Sequence, residues 1–348
     1  MKKTIVFLFF ILLSVFVVNA QGDDSNANPK NWRYNLKPGL NYSGSSFRDW
    51  FDGGNQLVSM KFNSEGFVNY QNERVIWKNS FMMDHGFTKK RYQKAQINVD
   101  KLDFTSSLSL IGKRENFMYT FLFSLKSQFT EGYNYLSSTQ WLLQSSFFAP
   151  GYIKVDLGID YIGVENLNIH LSPLSEKTTI VREAFYDKKV INEFWGGYEP
   201  SFYPEEDPHS GRIEPTEDEL LPFETQLETT YEGYGLAWRE NSKFEVGPNF
   251  RVLYENPELY KFFGMKSRLD AFVSYTELSK PDIDWETWLT INFNDYVAFN
   301  INFQLKYDYD VKFQENYIDE NGMSAVRNVS KLQFRNFLGF GVSYTFNK

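Results

Sequence analysis

The chemistry open to a chain of 348 residues with three histidines and no cysteine starts with what stands beside those histidines. His170 and Ser172 are two residues apart in "NIHLS", so on extended backbone they share a face. A serine hydrolase would use such a histidine as base for the hydroxyl, together with an orienting Asn or Asp and an oxyanion hole. Asn168 lies on the same face, but that face is polar, whereas barrel phospholipases turn their catalytic groups toward lipid. Asp84 and His85 form a second pair, in "MDHG", of the kind outer-membrane proteases carry at a rim. Adjacent strand residues point to opposite faces, and a water-activating site would need a further acidic pair that the sequence does not single out. These two pairs define the alternative reading, a membrane-borne lipase or protease. The leading reading is non-catalytic and needs no cofactor.

Carboxylates are the third candidate. Between Ser201 and Glu232 there are ten of them against a single basic residue, Arg212, and this excess accounts for the whole formal charge of −8. Hard divalent cations take such oxygen ligands, with Glu205, Glu206, Asp207, Glu217, Asp218 and Glu219 as the candidates. The spacing matches no EF-hand, so the segment reads as a solvated, partly disordered loop. An acidic chain also lacks the basic surface that supplies most nucleic-acid affinity. In "SFRDWFDGGN", Gly53 and Gly54 permit a tight loop, Asp52 precedes them, and Trp50 is placed to anchor at a membrane interface.

The elements that position these residues are strands. From Val297 to Tyr309 every second residue is apolar, the pattern of a strand with one greasy and one wet face. Twelve such segments recur, at 32–42, 58–70, 75–87, 102–110, 117–129, 153–161, 167–181, 244–254, 265–275, 283–293, 297–309 and 332–346. Most approach or exceed the ~9–11 residues with which a tilted strand crosses a bilayer. Short connections at 71–74, 112–115, 163–166 and 294–295 alternate with long ones at 88–101, 130–151, 182–243 and 311–331. That sorting predicts an all-β fold, a closed antiparallel transmembrane barrel with short periplasmic turns and long extracellular loops. A soluble periplasmic β-protein gives no reason for it. A further weak strand in "TTYEGYGLAW" would make the count odd, so it is read as part of a hairpin within the long loop 182–242. The expectation is about 12 strands, with 14 as the fallback.

Lys2 and Lys3 precede an apolar run from Ile5 to Val18 that ends at "VNA", which predicts a signal peptide over 1–20, cleaved after Ala20. Residues 21–31 then form a periplasmic segment, and 32–348 the barrel. Thirty-four Phe, 22 Tyr and 8 Trp exceed what a soluble core of this size requires but suit two aromatic girdles. Charges of both signs fall on the polar faces, among them Lys266, Arg268, Asp270, Asp284, Glu286, Lys306, Asp308 and Arg335. Lys266, Arg268 and Asp270 on one strand oppose Asp284 and Glu286 on the next, so pairing between neighbouring strands would fill a narrow lumen. Left unpaired, the same groups would line and tune a water-filled pore.

"SGSSFRDWFDGGN", "FFAPGYIKVDLGIDY", "LNIHLSPLSEKTTIV" and "PDIDWETWLTINFNDYVAFNINFQLKYDYD" together resemble the Bacteroidota outer-membrane family described as a domain of unknown function, DUF3078. The resemblance spans roughly 32–346 and implies an outer-membrane barrel, with no substrate or reaction attached. The last segment, with Phe340, Tyr344 and Phe346, is similar to the terminal signal read by the barrel assembly machinery. The partners expected from the sequence are therefore outer-membrane lipid and lipopolysaccharide, that machinery, and divalent cations at the acidic loop. The function expected is a narrow, porin-like channel or an envelope scaffold or assembly partner.

Overall fold

The computed structural model describes residues 31–45, 57–90, 95–137, 139–198, 215–231, 233–318, 323–344 and 346–347. The expected leader over 1–20, residues 21–30, the motif Trp50, Asp52, Gly53 and Gly54, and the carboxylates Glu205, Glu206 and Asp207 lie outside these stretches.

Period-two sequence becomes a single closed antiparallel sheet of twelve strands. In chain order they are β1 (Trp32–Ser45), β2 (Leu57–Gln71), β3 (Val75–Lys90), β4 (Gln96–Ile111), β5 (Phe117–Ser127) and β6 (Gly151–Val164). There follow β7 (Leu167–Ile180), β8 (Ser242–Tyr260), β9 (Phe263–Val273), β10 (Pro281–Asn292), β11 (Val297–Tyr307) and β12 (Gln333–Ser343). Each strand pairs with the next, and β12 returns to β1 with Leu40 opposite Val342 and Tyr42 opposite Phe340. A two-residue continuation, Phe346–Asn347, adds to β1 beyond the end of β12. Closure leaves no unpaired edge, the condition for placing a sheet in hydrocarbon.

Burial is inverted relative to a soluble protein. Glu286, Asp156, Ser172 and Ser175 are fully buried, while Leu338, Phe340, Trp285 and Phe303 are exposed. Polar side chains thus fill the inside of the barrel and apolar ones coat the outside. Outward indoles satisfy their N–H groups locally, as Trp285 Nε1 does on Ser267 Oγ at 3.0 Å and Trp77 Nε1 on Ser106 Oγ at 3.0 Å. At the short-turn end the exposed rings gather: Tyr296 stacks on Tyr344 and Phe293 on Phe340, with Tyr119 and Tyr260 also exposed. The eleven residues of β11 extend about 36 Å at ~3.3 Å each, enough at a ~35–45° tilt for the ~25 Å apolar belt of such barrels.

At the long-loop end the structure corrects two expectations and adds detail to the other long connections. The long connection 182–242 contains two helices, α1 (Glu183–Phe194) and, within the stretch read as a solvated acidic loop, α2 (Glu217–Thr230). In α1 the buried residues Phe185, Tyr186, Lys189 and Val190 recur with helical spacing, a period that the alternation reading passed over. Gly196 and Gly197, both at positive φ, end this helix; a Cβ at Gly197 would lie 2.9 Å from the Trp141 carbonyl oxygen. The expected hairpin in "TTYEGYGLAW" is absent: its first residues finish α2, and the rest form a single turn at Gly233–Gly235 followed by irregular chain. Finally, the segments 130–151 and 311–331 carry short hairpins, Gly132–Tyr135 with Trp141–Ser145 and Phe313–Ile318 with Ser324–Val329.

Leu143, Ala149, Val181, Phe185, Tyr186 and Leu236 form a buried apolar cluster in this outer region, flanked by Tyr133, Tyr231, Tyr234 and Trp238. Arg239 ties α1 to α2 by bonding Asp187 at 2.8 Å and Glu224 at 2.5 Å. Glu219 closes the start of α2, accepting from both the N–H and the hydroxyl of Thr216 at 2.9 Å. Glu219→Ala should therefore loosen α2 by about 1 kcal/mol, read as faster amide exchange confined to 217–230. Burial pushes the Tyr186 hydroxyl up to about 12, and burial also raises Tyr231 and Tyr234. Neutral phenols are favoured in the folded cap, so this stabilisation is complete below the unfolded value of ~10 and is lost as pH rises through the elevated folded values. Alkaline titration should melt the cap at a pH where the barrel's strand signal persists, which phenolate absorbance and circular dichroism would report together.

Candidate functional site

Every second residue of a barrel strand points inward, so the interior chemistry of this protein is set by strand parity and by which walls face each other. The decisive contacts run across the barrel. Lys101 on β4 donates to Glu286 on β10 at 2.5 Å, six strands away in a ring of twelve. Arg268 on β9 meets Asp103 on β4 at 2.7 Å, Lys126 on β5 meets Asp284 on β10 at 2.8 Å, and Lys266 on β9 meets Glu65 on β2 at 2.9 Å. Charge-assisted bonds of this length join opposite walls directly across the lumen.

Glu286 is the hub. Its carboxylate also lies 3.6 Å from Arg268 and 3.4 Å from Arg335, and it accepts from Asn302 at 3.2 Å. Toward the short-turn end from it, the indole of Trp288 is faced by Lys101, Lys266 and Arg268 at 5.3–5.9 Å, within cation–π range. The expected pairing between β9 and β10 holds for one pair only. Arg268 opposes Glu286, but Lys266 opposes Trp288, and Asp270 opposes Asp284. Two carboxylates side by side would repel. The repulsion is relieved by cations from elsewhere: Lys126 beside Asp284, and Arg251 on Asp270 at 2.5 Å.

Toward the long-loop end this network opens into two cavities. The inner one, about 100 Å³, is walled by Lys126, Lys154, Lys177 and Lys306 and by Asp270, Asp282, Asp284 and Asp308, with Tyr152 and Phe272 between them. Each lysine has an aspartate: Lys126–Asp284 at 2.8 Å, Lys306–Asp308 at 3.4 Å, Lys154–Asp270 at 3.6 Å, and the close pair Lys177–Asp282. Glu245 links this cavity to the outer one, lying 3.4 Å from Lys177 and 3.2 Å from Lys243. The outer cavity, about 630 Å³, is lined by Tyr231 and Leu236 of the cap together with Lys243, Glu245, Tyr309 and Asp310.

Lys266, Arg268, Asp270, Asp284, Glu286, Lys306, Asp308 and Arg335, singled out by parity, thus meet in one network. Parity would also have found Lys101, Asp103 and Lys154 on β4 and β6, whereas Lys177 faces inward only because a bulge between Ser172 and Ser175 shifts the alternation of β7 by one residue. Trp288 was missed because aromatics were assigned to the outside. The hydrolase pairs are not assembled as nucleophile and base. Ser172 Oγ lies 2.8 Å from the carbonyl oxygens of both Leu157 and Leu174, while His170 Nδ1 is 2.5 Å from Asp160. Asp84 faces inward to Lys61 at 3.0 Å, whereas His85 is 3.9 Å from Asp100. Glu217, Asp218 and Glu219 fall on the first turn of α2, and no cluster of three or more His, Asp or Glu suited to a metal occurs among the described residues.

Residues 42–133 match the family described as "Protein of unknown function (DUF3078)". No curated protein matches the chain at a significant level. Among solved structures, an outer-membrane channel from Pseudomonas putida F1 is similar at 11% identity and a TM-score of 0.36, covering 94% of this chain and 100% of its own. The NanC porin is similar at 9% identity and 0.32, covering 89% and 98%, and the translocator domain of the autotransporter NalP from Neisseria meningitidis at 8% and 0.30, covering 97% and 96%. At these identities and scores nothing about solute or partner transfers to this chain. The DUF3078-matched segment itself supplies one side of the closure. Glu65, Lys101, Asp103 and Lys126 lie within it, and their partners in the four cross-wall pairs, Lys266, Glu286, Arg268 and Asp284, lie outside it.

Proposed function

We propose that this protein is a non-catalytic outer-membrane barrel that works as a narrow channel, closed at rest by the ion pairs around Glu286. The observation that carries this reading is a small charged cavity continuous with a set of ion pairs, Lys126–Asp284, Arg268–Asp103, Lys101–Glu286 and Lys266–Glu65, that join opposite walls. A barrel interior packed with apolar side chains would be sealed permanently. One closed by charges can rehydrate and re-pair, because water and solute replace the partners of each group. Exposed apolar residues on the outer face and an aromatic rim at the short-turn end support residence in lipid, with lipopolysaccharide against the long-loop side. Outward Phe340 and Tyr344 on and just after β12 support recognition by the barrel assembly machinery, and the leader read over 1–20 supports export. Engagement of Ser172 by main-chain carbonyls favours the non-catalytic reading over the lipase or protease.

Planar-bilayer recording tests the proposal. Purified full-length protein should show brief, small openings over a closed baseline. Protein that inserts, as judged by heat-modifiable migration, yet passes no current even when the Glu286 pairs are removed, is a scaffold and not a channel.

A further inference from the structure

Resting on the channel reading, we infer that the inner cavity is a binding site for small zwitterionic solutes of the amino-acid class, which enter by inserting into its lysine–aspartate pairs. The cavity is lined by four lysines and four aspartates, each lysine beside an aspartate, so its walls carry no excess of either sign, with Glu245 also on Lys177 and Arg251 also on Asp270. Breaking a buried ion pair to admit a simple anion satisfies the lysine and strands the aspartate; a simple cation does the reverse, and each leaves an uncompensated buried charge. A neutral solute that pushes the pair apart strands both. A zwitterion replaces both partners at once: its carboxylate takes Lys177, its ammonium takes Asp282, and every charge keeps a counter-charge.

Two further observations point to a ligand. Asp270 Oδ2 and Glu245 Oε2, on side chains more than nine-tenths buried, make only long ion pairs, 3.5 Å to Arg268 and 3.9 Å to Lys126 for the first and 3.4 Å to Lys177 for the second, so neither oxygen is committed to a short bond that an entering ammonium would have to break. The ring of Tyr152 lies 4.9 Å from Lys306 and 5.9 Å from Lys177, and it offers a flat wall for the carbon skeleton between those cations. A volume of about 100 Å³ compares with the ~10–15 Å³ that one water needs on the same measure, which suits a solute of several heavy atoms and excludes an oligosaccharide.

The test compares four molecules of equal size and different charge: glycine (zwitterion), glycolate (anion), glycinamide (cation) and glycolamide (neutral). Uptake of each, radiolabelled, is followed into proteoliposomes holding the full-length protein, with the membrane potential clamped at zero. Glycine should enter at least about fivefold faster than the other three, the ratio expected of one retained ion pair. Lys177→Met combined with Asp282→Asn should bring the glycine rate down to that of glycolamide. Equal rates for all four solutes would overturn the zwitterion site while leaving the channel intact, as would a glycine preference that survives the double substitution. No uptake of any solute, with no current in the bilayer, would instead remove the channel reading on which the site depends.

Discussion

Glu286→Gln should open the lumen and destabilise the barrel together. The wild-type carboxylate is fully buried and is approached by Lys101, Arg268 and Arg335, with Asn302 as an additional donor. Replacing it with an amide of the same shape leaves those cations clustered around a neutral group. Removing one partner of a buried pair costs about 3–5 kcal/mol, because the remaining charge stays desolvated. Here water can enter from the inner cavity to hydrate the freed cations, and that hydration is the opening. Bilayer recordings should therefore show a larger and longer-lived conductance, and denaturant unfolding in lipid should move to lower concentration. Adding Lys101→Met should recover part of the stability, with a coupling of ~0.5–3 kcal/mol in the double-mutant cycle. Strict additivity would mean that the 2.5 Å contact carries no energy.

The second large effect lies on the opposite face of the neighbouring strand. Phe303 is near the middle of β11 and outward, and Asn302 beside it is buried and inward. Phe303→Arg should cost ~2–4 kcal/mol of folding free energy into a bilayer, the range for a cation at the midplane of a barrel's lipid face. The same substitution at Gln304, which points inward and already bonds Asp284 at 2.7 Å, should cost far less, since that carboxylate is at hand as a partner. Comparison of the two unfolding curves isolates the face from the residue type. A cost at 304 equal to that at 303 would remove the distinction between lipid and lumen.

Much of this architecture was legible because one physical rule governs it. A strand between lipid and water alternates, so Phe299, Ile301 and Phe303 announced the outside and Asn300, Asn302 and Gln304 the inside. Short turns against long loops gave the direction of the chain, and the requirement for an even, closed sheet gave twelve. What escaped belongs to other rules. Parity assigns Lys101 and Glu286 to the interior but cannot say that β4 and β10 face each other, which depends on ring closure and register. That is why pairing was sought between neighbours and found across the lumen. Trp288 broke the habit of placing aromatics outside, because its indole is held among three cations. The helices of the long connection were hidden for two reasons: α2 lies in the acidic stretch read as solvated chain, and in α1 Phe185, Tyr186 and Val190 follow a 3.6-residue period that a search for alternation does not register.

The account stands on lipid covering the outer face of β11, and the absence of native cysteine makes that surface directly measurable. Single cysteines placed at 299 to 305 and spin-labelled in proteoliposomes should alternate, with labels at 299, 301, 303 and 305 relaxed by dissolved oxygen and sheltered from a water-soluble nickel complex. Labels at 301 and 303 reached by the nickel complex, or sealed from both reagents as in a dry protein core, would contradict it.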